Sequence, residues 1–333
     1  KAVPSKTTMP ILECLLIDAT TNQIKFTTND MELGIETIVE GTIEEKGKVA
    51  LNAKIFYEII RRLPDNDVTI KTDEKFAATI TCEKAKFNIP GKSGEDFAYL
   101  PMIERDEPLT ISQYTLKNMI YQTIFSIAVN DNNKLMTGEL FEIKDNCLKI
   151  VSLDGHRIAI RRMELKKDYS DRKVVVPGKT LNEISKILSG EVDDQVTLYF
   201  TKNHILFEFD NTIVLSRLIE GEYYKIDKML SSDYETKITV NKKDMLDSID
   251  RTTLLVKESE KKPVIIDIKD NSIGFAMNSS IGSMYEEMDA VREGKDILIG
   301  FNPRFLMDAL RVIDDEEITL YMINPKAPCF IRD

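Results

Sequence analysis

The chain has 333 residues, of which 42% are hydrophobic and 30% are charged. This length and composition allow two or three domains with packed cores and exclude a disordered or low-complexity protein. No run of about 18 apolar residues occurs, so we expect no membrane-spanning helix. The net charge of −11 argues against a generic nucleic-acid binder, although the placement of charge matters more than its sum.

The two ends of the chain give little sign of a natural start or stop. The sequence begins at Lys1 rather than Met, and its first residues lack the charged start and long apolar run of a signal peptide. A strand pattern begins near Cys329 and is cut off at the last residue. We therefore expect both termini to be truncated relative to the natural protein.

Metal sites and disulfides have little support in the sequence. The four cysteines have no C-x-x-C spacing, and only two histidines accompany them; these six residues are Cys14, Cys82, Cys147, Cys329, His156 and His204. We expect reduced thiols at core or strand positions in a cytosolic protein, with no metal ion and no cofactor.

Alternating polar and apolar residues around a polar break predict hairpins, and apolar residues at i, i+3 and i+4 predict helices. In chain order, the predicted elements are a hairpin at Asn22–Gly41, a helix at Asn52–Leu63, a strand from Val68, a helix at Thr115–Ala128, a hairpin at Asn146–Leu165, a helix at Pro177–Leu188, a strand around Val196, a helix at Asn241–Val256, a hairpin at Asn271–Ala290, a helix at Asn302–Ile313 and a strand around Ile318.

Details of two helices sharpen these predictions. Asn52 and Asn302 stand where helix N-caps belong, and Pro303 suits a first helical position. The helix that follows Asn52 should bury one apolar face, which consists of Ile55, Phe56, Ile59, Ile60 and Leu63.

The order of elements repeats three times. The strands at Val68, Val196 and Ile318 begin Val-Thr-Ile, Val-Thr-Leu and Ile-Thr-Leu, and they lie 128 and 122 residues apart. This interval is the size of a small domain rather than of a solenoid repeat. The fold class is therefore α+β, with helices on one face of antiparallel sheets. We expect three similar domains, at residues 1–103, 104–231 and 232–333, with polar, proline-bearing sequence at the first boundary.

Six segments resemble, in the same order, the β subunit of bacterial DNA polymerase III, the sliding clamp family. They are KTTMPIL, AKIFYEIIRRLPD, FSIAVNDN, SLDGHRIAI, VVVPGKTLNEISKIL and GFNPRFLMDAL. The resemblance covers essentially the whole chain, but the first twenty or so residues of the family and a short C-terminal strand are missing. It implies the DNA clamp fold: three domains with antiparallel sheets outside and two helices inside, which form half of a closed ring.

The resemblance further implies a non-catalytic processivity factor of the bacterial cytoplasm and nucleoid. A head-to-tail homodimer would encircle duplex DNA without reading its sequence. Short peptides of the polymerase III α subunit, the clamp loader and repair proteins would dock on it.

The charge of the predicted helices is compatible with a DNA-lined bore. The five helices together carry a net charge of +5 in a chain of net charge −11, which would attract phosphates without sequence readout. Scattered Lys and Arg on helix faces would give a similar excess, so charge alone leaves both readings open. The candidate DNA-binding residues are Lys6, Lys54, Arg61, Arg62, Lys117, Asn130, Lys179, Lys186, Arg304 and Arg311. Of these, Lys6, Asn130, Lys179 and Lys186 match family positions, and the others follow from helix placement.

The resemblance also implies an apolar peptide-binding groove between the second and third domains. Its residues would be Met136, Leu153, Asp154, Gly155, His156, Arg157, Ile158, Tyr224, Met229, Asn302, Phe305, Lys326 and Pro328. Methionine and aliphatic side chains can form an adaptable wall, but ordinary core packing is the alternative for Met136 and Ile158. Tyr224 stands where the family has proline and Met229 where it has a smaller aliphatic residue, so the groove shape is open.

Three further residues are candidates for the contact that closes the ring. By position in the family these are Phe97, Leu254 and Leu255. The two leucines lie at the end of a predicted helix, so packing within their own domain is the alternative for them.

Enzymatic motifs are weak. Gly91-Lys92-Ser93 hints at a phosphate loop, but the required earlier glycine is Lys86. Asp154 and His156 have no Ser or Cys motif beside them, and the glycine between them suits a tight turn. Besides the clamp, two hypotheses stay open: a hydrolase or transferase around these two residues, and a monomeric peptide-binding adaptor that does not encircle DNA.

Overall fold

A computed structural model describes residues 2–4, 7–129, 132–230, 233–256 and 262–332, apart from the side chain of Lys228. The chain divides into two compact units. The first unit comprises Lys1–Asp154 and Ile160–Gly221, and the second comprises Gly155–Ala159 and Glu222–Asp333.

The first unit is built from short strands and helices. Its strands are β1 (Cys14–Asp18), β2 (Ile24–Asn29), β3 (Leu33–Val39), β4 (Lys48–Asn52), β5 (Thr69–Thr72), β6 (Ala78–Cys82), β7 (Ala85–Ile89), β8 (Gly91–Ser93), β9 (Leu109–Ser112), β10 (Gly138–Lys144), β11 (Cys147–Leu153), β12 (Ile158–Glu164), β13 (Arg172–Pro177), β14 (Gln195–Phe200), β15 (His204–Phe209) and β16 (Thr212–Arg217). Its helices are α1 (Ala53–Ile60), α2 (Gln113–Tyr121) and α3 (Gly178–Ile184).

One long antiparallel sheet runs through the first unit in the order β8-β4-β1-β2-β3-β16-β15-β14-β9. Its central junction pairs β3 with β16, and Thr37 lies opposite Thr212 there, with their hydroxyl oxygens 2.8 Å apart. Two smaller sheets have the orders β12-β11-β10-β13 and β5-β6-β7. The β3–β16 junction therefore joins the first and second predicted repeats into one sheet.

The second unit contains the third repeat. Its strands are β17 (Thr236–Asn241), β18 (Val264–Lys269), β19 (Ser272–Ser279), β20 (Gly282–Asp289), β21 (Val291–Gly294), β22 (Ile297–Phe301), β23 (Glu317–Met322) and β24 (Phe330–Arg332). Its helices are α4 (Lys242–Thr253) and α5 (Pro303–Arg311). The strands form two antiparallel sheets, β21-β17-β23-β24 and β20-β19-β18-β22.

Each unit has an apolar core between helices and sheets. In the first unit, Leu116 of α2 and Leu181 of α3 are fully buried with Phe207 of β15. In the second unit, Met245 of α4 and Leu310 of α5 are fully buried with the rest of that core. The predicted α+β class with antiparallel sheets is confirmed.

The structure confirms the predicted repeats. The three hairpins are β2–β3, β11–β12 and β19–β20, and the three anchor strands are β5, β14 and β23. Asn52 accepts a hydrogen bond from the Ile55 N–H (3.0 Å) and Asn302 accepts one from the Arg304 N–H (3.0 Å), so both are N-caps. Pro303 is the first residue of α5. The domain boundaries at residues 103 and 231 remain a prediction.

The helices are shorter than predicted, and the predicted buried face of α1 includes residues that are exposed. The Thr115–Ala128 helix ends at Tyr121, and the Thr123 hydroxyl donates back to the Met119 carbonyl (2.7 Å) before a 3-10 turn follows. In α1, Ile55 and Ile60 are 46% and 36% exposed. A helix of eight residues buries only a narrow stripe against its sheet, so the outer edges of its apolar face stay in contact with water.

Two further observations concern the cysteines and the length of the helices. All four cysteines are free thiols, and Cys14 and Cys82 are buried. Across the part of the chain that the structure describes, no helix has both the length and the apolar character needed to cross a membrane.

Candidate functional site

Helix α1 and the turn that follows it carry three of the predicted DNA-binding cations, which are exposed. Glu58 accepts salt bridges from Arg61 (3.2 Å) and Arg62 (2.6 Å). Such exposed pairs contribute little to stability, so the two arginines can readily leave Glu58 for another anion. Lys54 is exposed, and no ion pair of its ammonium is seen within the described residues.

Lysines of α2 and α3 are engaged by neighbouring groups. Lys117 Nζ donates to the Leu188 carbonyl (3.1 Å), which links α2 to the segment after α3. Lys186 forms a salt bridge with Glu183 (2.7 Å) within its own turn. The first contact links α2 to the segment after α3, the second is local, and both lysine side chains stay partly in solvent.

Lys179 has a structural partner in the first repeat. Its ammonium forms a salt bridge with Asp30, whose side chain is only 3% exposed while that of Lys179 is 56% exposed. Burial by itself raises the pKa of Asp30, but hydrogen bonds from Lys179 and from the N–H groups of Leu33 and Glu32 outweigh it and hold the pKa below its ordinary value. Lys179 therefore ties α3 to the turn between β2 and β3, a role that sequence reasoning missed.

The remaining predicted DNA-binding residues lie elsewhere. Arg304 and Arg311 are exposed on α5 of the second unit. Lys6 and Asn130 lie outside the described residues. The first unit thus carries the predicted cations of α1, α2 and α3, and the second unit carries those of α5.

Part of the predicted groove forms a stacked cluster in the second unit. The Arg157 guanidinium lies 4.3 Å from the centroid of the Phe305 ring, and the His156 ring lies 5.8 Å from it at a 34° tilt. Asp308, one helical turn after Phe305, accepts a 2.7 Å salt bridge from Arg157. Asp308 was not predicted, although its i+3 position on the same helix face as Phe305 was a usable signal.

Other groove candidates show mixed exposure. In the first unit, Met136 lies half-buried in a 3-10 turn, whereas Leu153 is 4% exposed. Leu153 is therefore a buried residue of β11 that exposes little side chain, and its place in the groove stays a prediction. Asp154, which follows it, is half-buried.

The groove candidates of the second unit are more accessible. Gly155 has φ +86°, which confirms the predicted tight turn. Ile158, which begins β12 but belongs with Ala159 to the second unit, is half-buried. Met229 is 51% exposed, and the Tyr224 ring meets the Tyr223 ring edge-on at 5.9 Å. Two further candidates, Lys326 and Pro328, are exposed near the C-terminal strand.

The predicted ring-closing residues require one correction. Phe97 is 3% exposed and packs with Cys14, Leu16 and Ala50, so it offers no aromatic surface to another chain. Phe87, an aromatic residue of the first repeat that the sequence analysis did not single out, is 39% exposed on β7. In the sequence, Phe87 closely follows Lys84 and Lys86, but only the sheet order shows that β7 is an edge strand.

The two leucines proposed beside Phe97 behave differently from each other. Leu254 is 75% exposed at the end of α4. Leu255 packs against the core of the second unit, which agrees with the alternative that it packs within its own domain.

Features that hinted at an enzyme have structural explanations. Gly91-Lys92-Ser93 forms strand β8, paired with β4, and is followed by a single 3-10 turn rather than by an α-helix. His156 lies against the Phe305 ring. In the described ranges, no group of three or more His, Cys, Asp or Glu side chains is placed to hold a metal ion.

Comparison with known proteins gives a consistent result along the chain. Family models of the DNA polymerase III beta subunit match in order: the N-terminal domain at residues 1–101, the central domain at 110–225 and the C-terminal domain at 227–333. The beta sliding clamp of Staphylococcus epidermidis is 32% identical over 342 residues, which cover 100% of this chain and 90% of that protein.

Solved structures agree with the sequence relatives. The chain is similar to a putative DNA polymerase III beta subunit from Eubacterium rectale, with 66% identity and a TM-score of 0.96 over 100% of this chain and 90% of that one. It is also similar to the DNA polymerase sliding clamp from Bacillus subtilis, with 34% identity and a TM-score of 0.95 over 99% and 90% of the two chains. Sequence, fold and three consecutive domain matches together place this chain in the DNA polymerase III beta subunit family, the beta sliding clamps.

Proposed function

We propose that this chain is a non-catalytic DNA sliding clamp: two copies close head to tail into a ring around duplex DNA and hold the replicative polymerase on it. The observation that carries this proposal is the β3–β16 junction, which shows how one repeat continues into the next. Family membership gives the junction its functional meaning.

The junction supplies a template for ring closure. The second strand of the first hairpin, β3, pairs with β16, the last strand of the β14-β15-β16 group. The matching strand of the third hairpin is β20, and the matching last strand of the first repeat is β7. Both lie at the end of their sheets, β20-β19-β18-β22 and β5-β6-β7. Pairing β20 of one copy with β7 of the next is heterologous, and two such contacts close a ring.

The two end strands suit each other chemically. Lys86 lies on β7 with Lys84 just before it, whereas Glu287 and Asp289 lie on β20. Opposite charges across an interface favour the correct partner and register. An exposed edge strand that carries apolar side chains such as Phe87 is normally covered, because its unpaired backbone groups can pair with another chain.

The DNA contact is proposed to be electrostatic and independent of sequence. The exposed helix faces carry Lys54, Arg61, Arg304 and Arg311, which suit phosphate oxygens better than base edges. Lys6, Lys117, Asn130 and Lys186 join them as proposed contacts. Lys179 is proposed to contribute less to DNA binding, because its salt bridge with Asp30 neutralises part of its charge.

Peptide docking is proposed at the cluster of His156, Arg157 and Phe305. Its aromatic face and stacked guanidinium offer a flat, mostly apolar surface with polar edges. Met229, which is exposed in the same unit, adds an adaptable side chain to the proposal. The proposed partners are short segments of the polymerase III α subunit, the clamp loader and repair proteins, in the bacterial cytoplasm at the nucleoid.

Retention on DNA tests the proposed function. The protein is loaded onto nicked circular DNA with a bacterial clamp loader, separated from free protein by gel filtration, and the circle is then cut once. We expect the protein to stay with the circle and to leave the linear molecule, unless its ends are blocked. Retention on unblocked linear DNA would contradict encirclement. A monomer of 38.1 kDa that binds peptides but is never retained on circles would support the adaptor instead.

A further inference from the structure

Helix α1 carries a tyrosine at the centre of its exposed face. Phe56 and Ile59 are buried against the sheet, while Tyr57 is 60% exposed. At 100° per residue, Tyr57 lies on the side of the helix away from the core, next to Arg61 one turn later. The Arg61 guanidinium carbon is 5.7 Å from the Tyr57 ring centroid, so the phenol and the cation form one surface.

Helix α2 repeats this arrangement. Leu116 and Ile120 are fully buried, whereas Tyr114 and Tyr121 are 43% and 53% exposed. Residues seven positions apart share a helix face, so the two tyrosines lie on the same side, opposite the core. Lys117 lies at the flank of this face and donates to a backbone carbonyl.

The charges on these two faces are partly used within the chain. Arg61 and Arg62 both pair with Glu58, and Lys117 is held by the Leu188 carbonyl. A phenol offers a hydroxyl donor to a phosphate oxygen and a ring edge to a sugar, without any need for free charge. In a chain of net charge −11, such neutral donors add attraction where cations are compensated.

We infer that Tyr57 and Tyr114, together with Tyr121, contact the DNA backbone. These contacts add a part of the affinity for duplex DNA that depends little on salt concentration. The inference rests on the proposed function, in which α1 and α2 face the encircled duplex. Its physical basis is that a neutral hydroxyl displaces no counterion from DNA, whereas each cation that neutralises a phosphate steepens the salt dependence.

Equilibrium binding to a short fluorescein-labelled duplex, measured by anisotropy over a series of KCl concentrations, tests this inference. The variants are Tyr57→Phe, Tyr114→Phe and the double variant, which remove only hydroxyl groups. Lys54→Gln is the cation control. Tyr234→Phe is the matched tyrosine control, because Tyr234 is 45% exposed and packs against Tyr321 in the second unit. Circular dichroism verifies that each variant is folded.

We expect each hydroxyl removal to weaken binding by about two- to tenfold at every KCl concentration, with an unchanged slope of log affinity against log salt. Lys54→Gln should instead flatten that slope by roughly 0.9 for each Lys54 that contacts a phosphate, and so by at most about 1.8 in a ring of two copies. Affinities equal to those of wild type or of Tyr234→Phe would overturn the inference, and so would a changed slope for the tyrosine variants. If wild type is retained on closed circles, either result leaves the proposed function standing. If wild type is not retained, the proposed function fails, and this inference fails with it.

Discussion

Glu139 and Glu142 lie three residues apart on β10, and both are buried, yet their surroundings differ completely. Glu142 lies between Lys149 and Lys173 and forms a salt bridge with each. Burial alone raises the pKa of Glu142, but the hydrogen bonds from these two lysines outweigh it and leave the pKa lowered. Glu139 is fully buried, and within the described residues neither of its oxygens has a partner of ordinary hydrogen-bond geometry.

The protonation of Glu139 should make stability depend on pH. Burial raises its pKa to about 8, and only the Thr123 hydroxyl lowers it. That hydroxyl already donates to the Met119 carbonyl, which favours a protonated Glu139 that can itself donate. The folded state therefore holds a proton that the unfolded chain releases near pH 4.5. The contribution to stability is full below that pH and is lost as the pH rises through about 8.

Glu139→Gln should remove this loss. Relative to wild type, the variant should gain free energy of unfolding between pH 5 and pH 8, by at most about 1.4 kcal/mol per pH unit. Urea unfolding at a series of pH values measures the difference. Glu142→Gln is the matched control on the same strand, and it should destabilise at neutral pH because two lysines lose their partner. A pH profile for Glu139→Gln parallel to that of wild type would show that Glu139 is ionised in the folded protein.

Removal of the Lys179 ammonium should destabilise the first unit. Lys179→Met leaves the nearly buried Asp30 with only its N–H donors, at a cost of about 1–3 kcal/mol near pH 7. Because the folded pKa of Asp30 is lowered, its contribution exists above pH 3.8 and disappears as the pH falls through the folded value, so the deficit should shrink in acid. Lys186→Met, which breaks only an exposed pair, should change stability by less than about 0.5 kcal/mol. Equal urea midpoints for the two variants would contradict a structural role for Lys179.

Disruption of β7 should open the ring. Phe87→Asp places a carboxylate on β7, where we propose that the acidic β20 of the partner pairs, so the dimer should dissociate toward the 38.1 kDa chain. Light scattering after size-exclusion chromatography gives the mass. Phe76→Asp is the control, because Phe76 is 38% exposed but lies in a turn with φ +64° that Asp tolerates. If both variants keep the mass of wild type, β7 is not the closing strand.

Substitution of Asp308 should weaken peptide binding even if the peptide does not contact Asp308 itself. Asp308→Asn removes the anion that holds Arg157 over Phe305, so a short peptide with Leu and Phe side chains should bind about three- to tenfold more weakly by calorimetry. Asp315→Asn, in an exposed turn beyond α5, should have no effect. His156→Ala should also weaken docking, because it removes the imidazole ring that forms part of the proposed surface beside Phe305. Unchanged affinity for Asp308→Asn would exclude a positioning role for Asp308.

Much of the fold was readable from local patterns. The hairpins followed from alternation of side chains along each strand, and the helix starts followed from Asn52, Asn302 and Pro303, because capping is decided within one turn. Helix ends were harder, since the side chain of Thr123 and the packing beneath the last turn decide where a helix stops.

The candidate site was less predictable than the fold. Family position placed Phe97 at a chain surface, and the structure places it in a core, while the exposed Phe87 escaped notice. Residues of similar type on neighbouring strands cannot be ranked by exposure from sequence, because exposure depends on which strand ends the sheet. Asp308 on α5 was missed for another reason: its ion-pair partner Arg157 lies far away in the chain, so the sequence does not show the pair.

By itself, the sequence determined the threefold repeat, the α+β class and the family, because strand alternation, helix periodicity and capping are set by residues close together in the chain. Only the tertiary structure decided that Lys179 is tied to a buried Asp30 and that β7 and β20 are edge strands. It also decided that, among the described residues, Glu139 has no counter-ion while Glu142 has two. These properties depend on burial and on contacts between distant segments, and both arise only when the sheets and helices have packed.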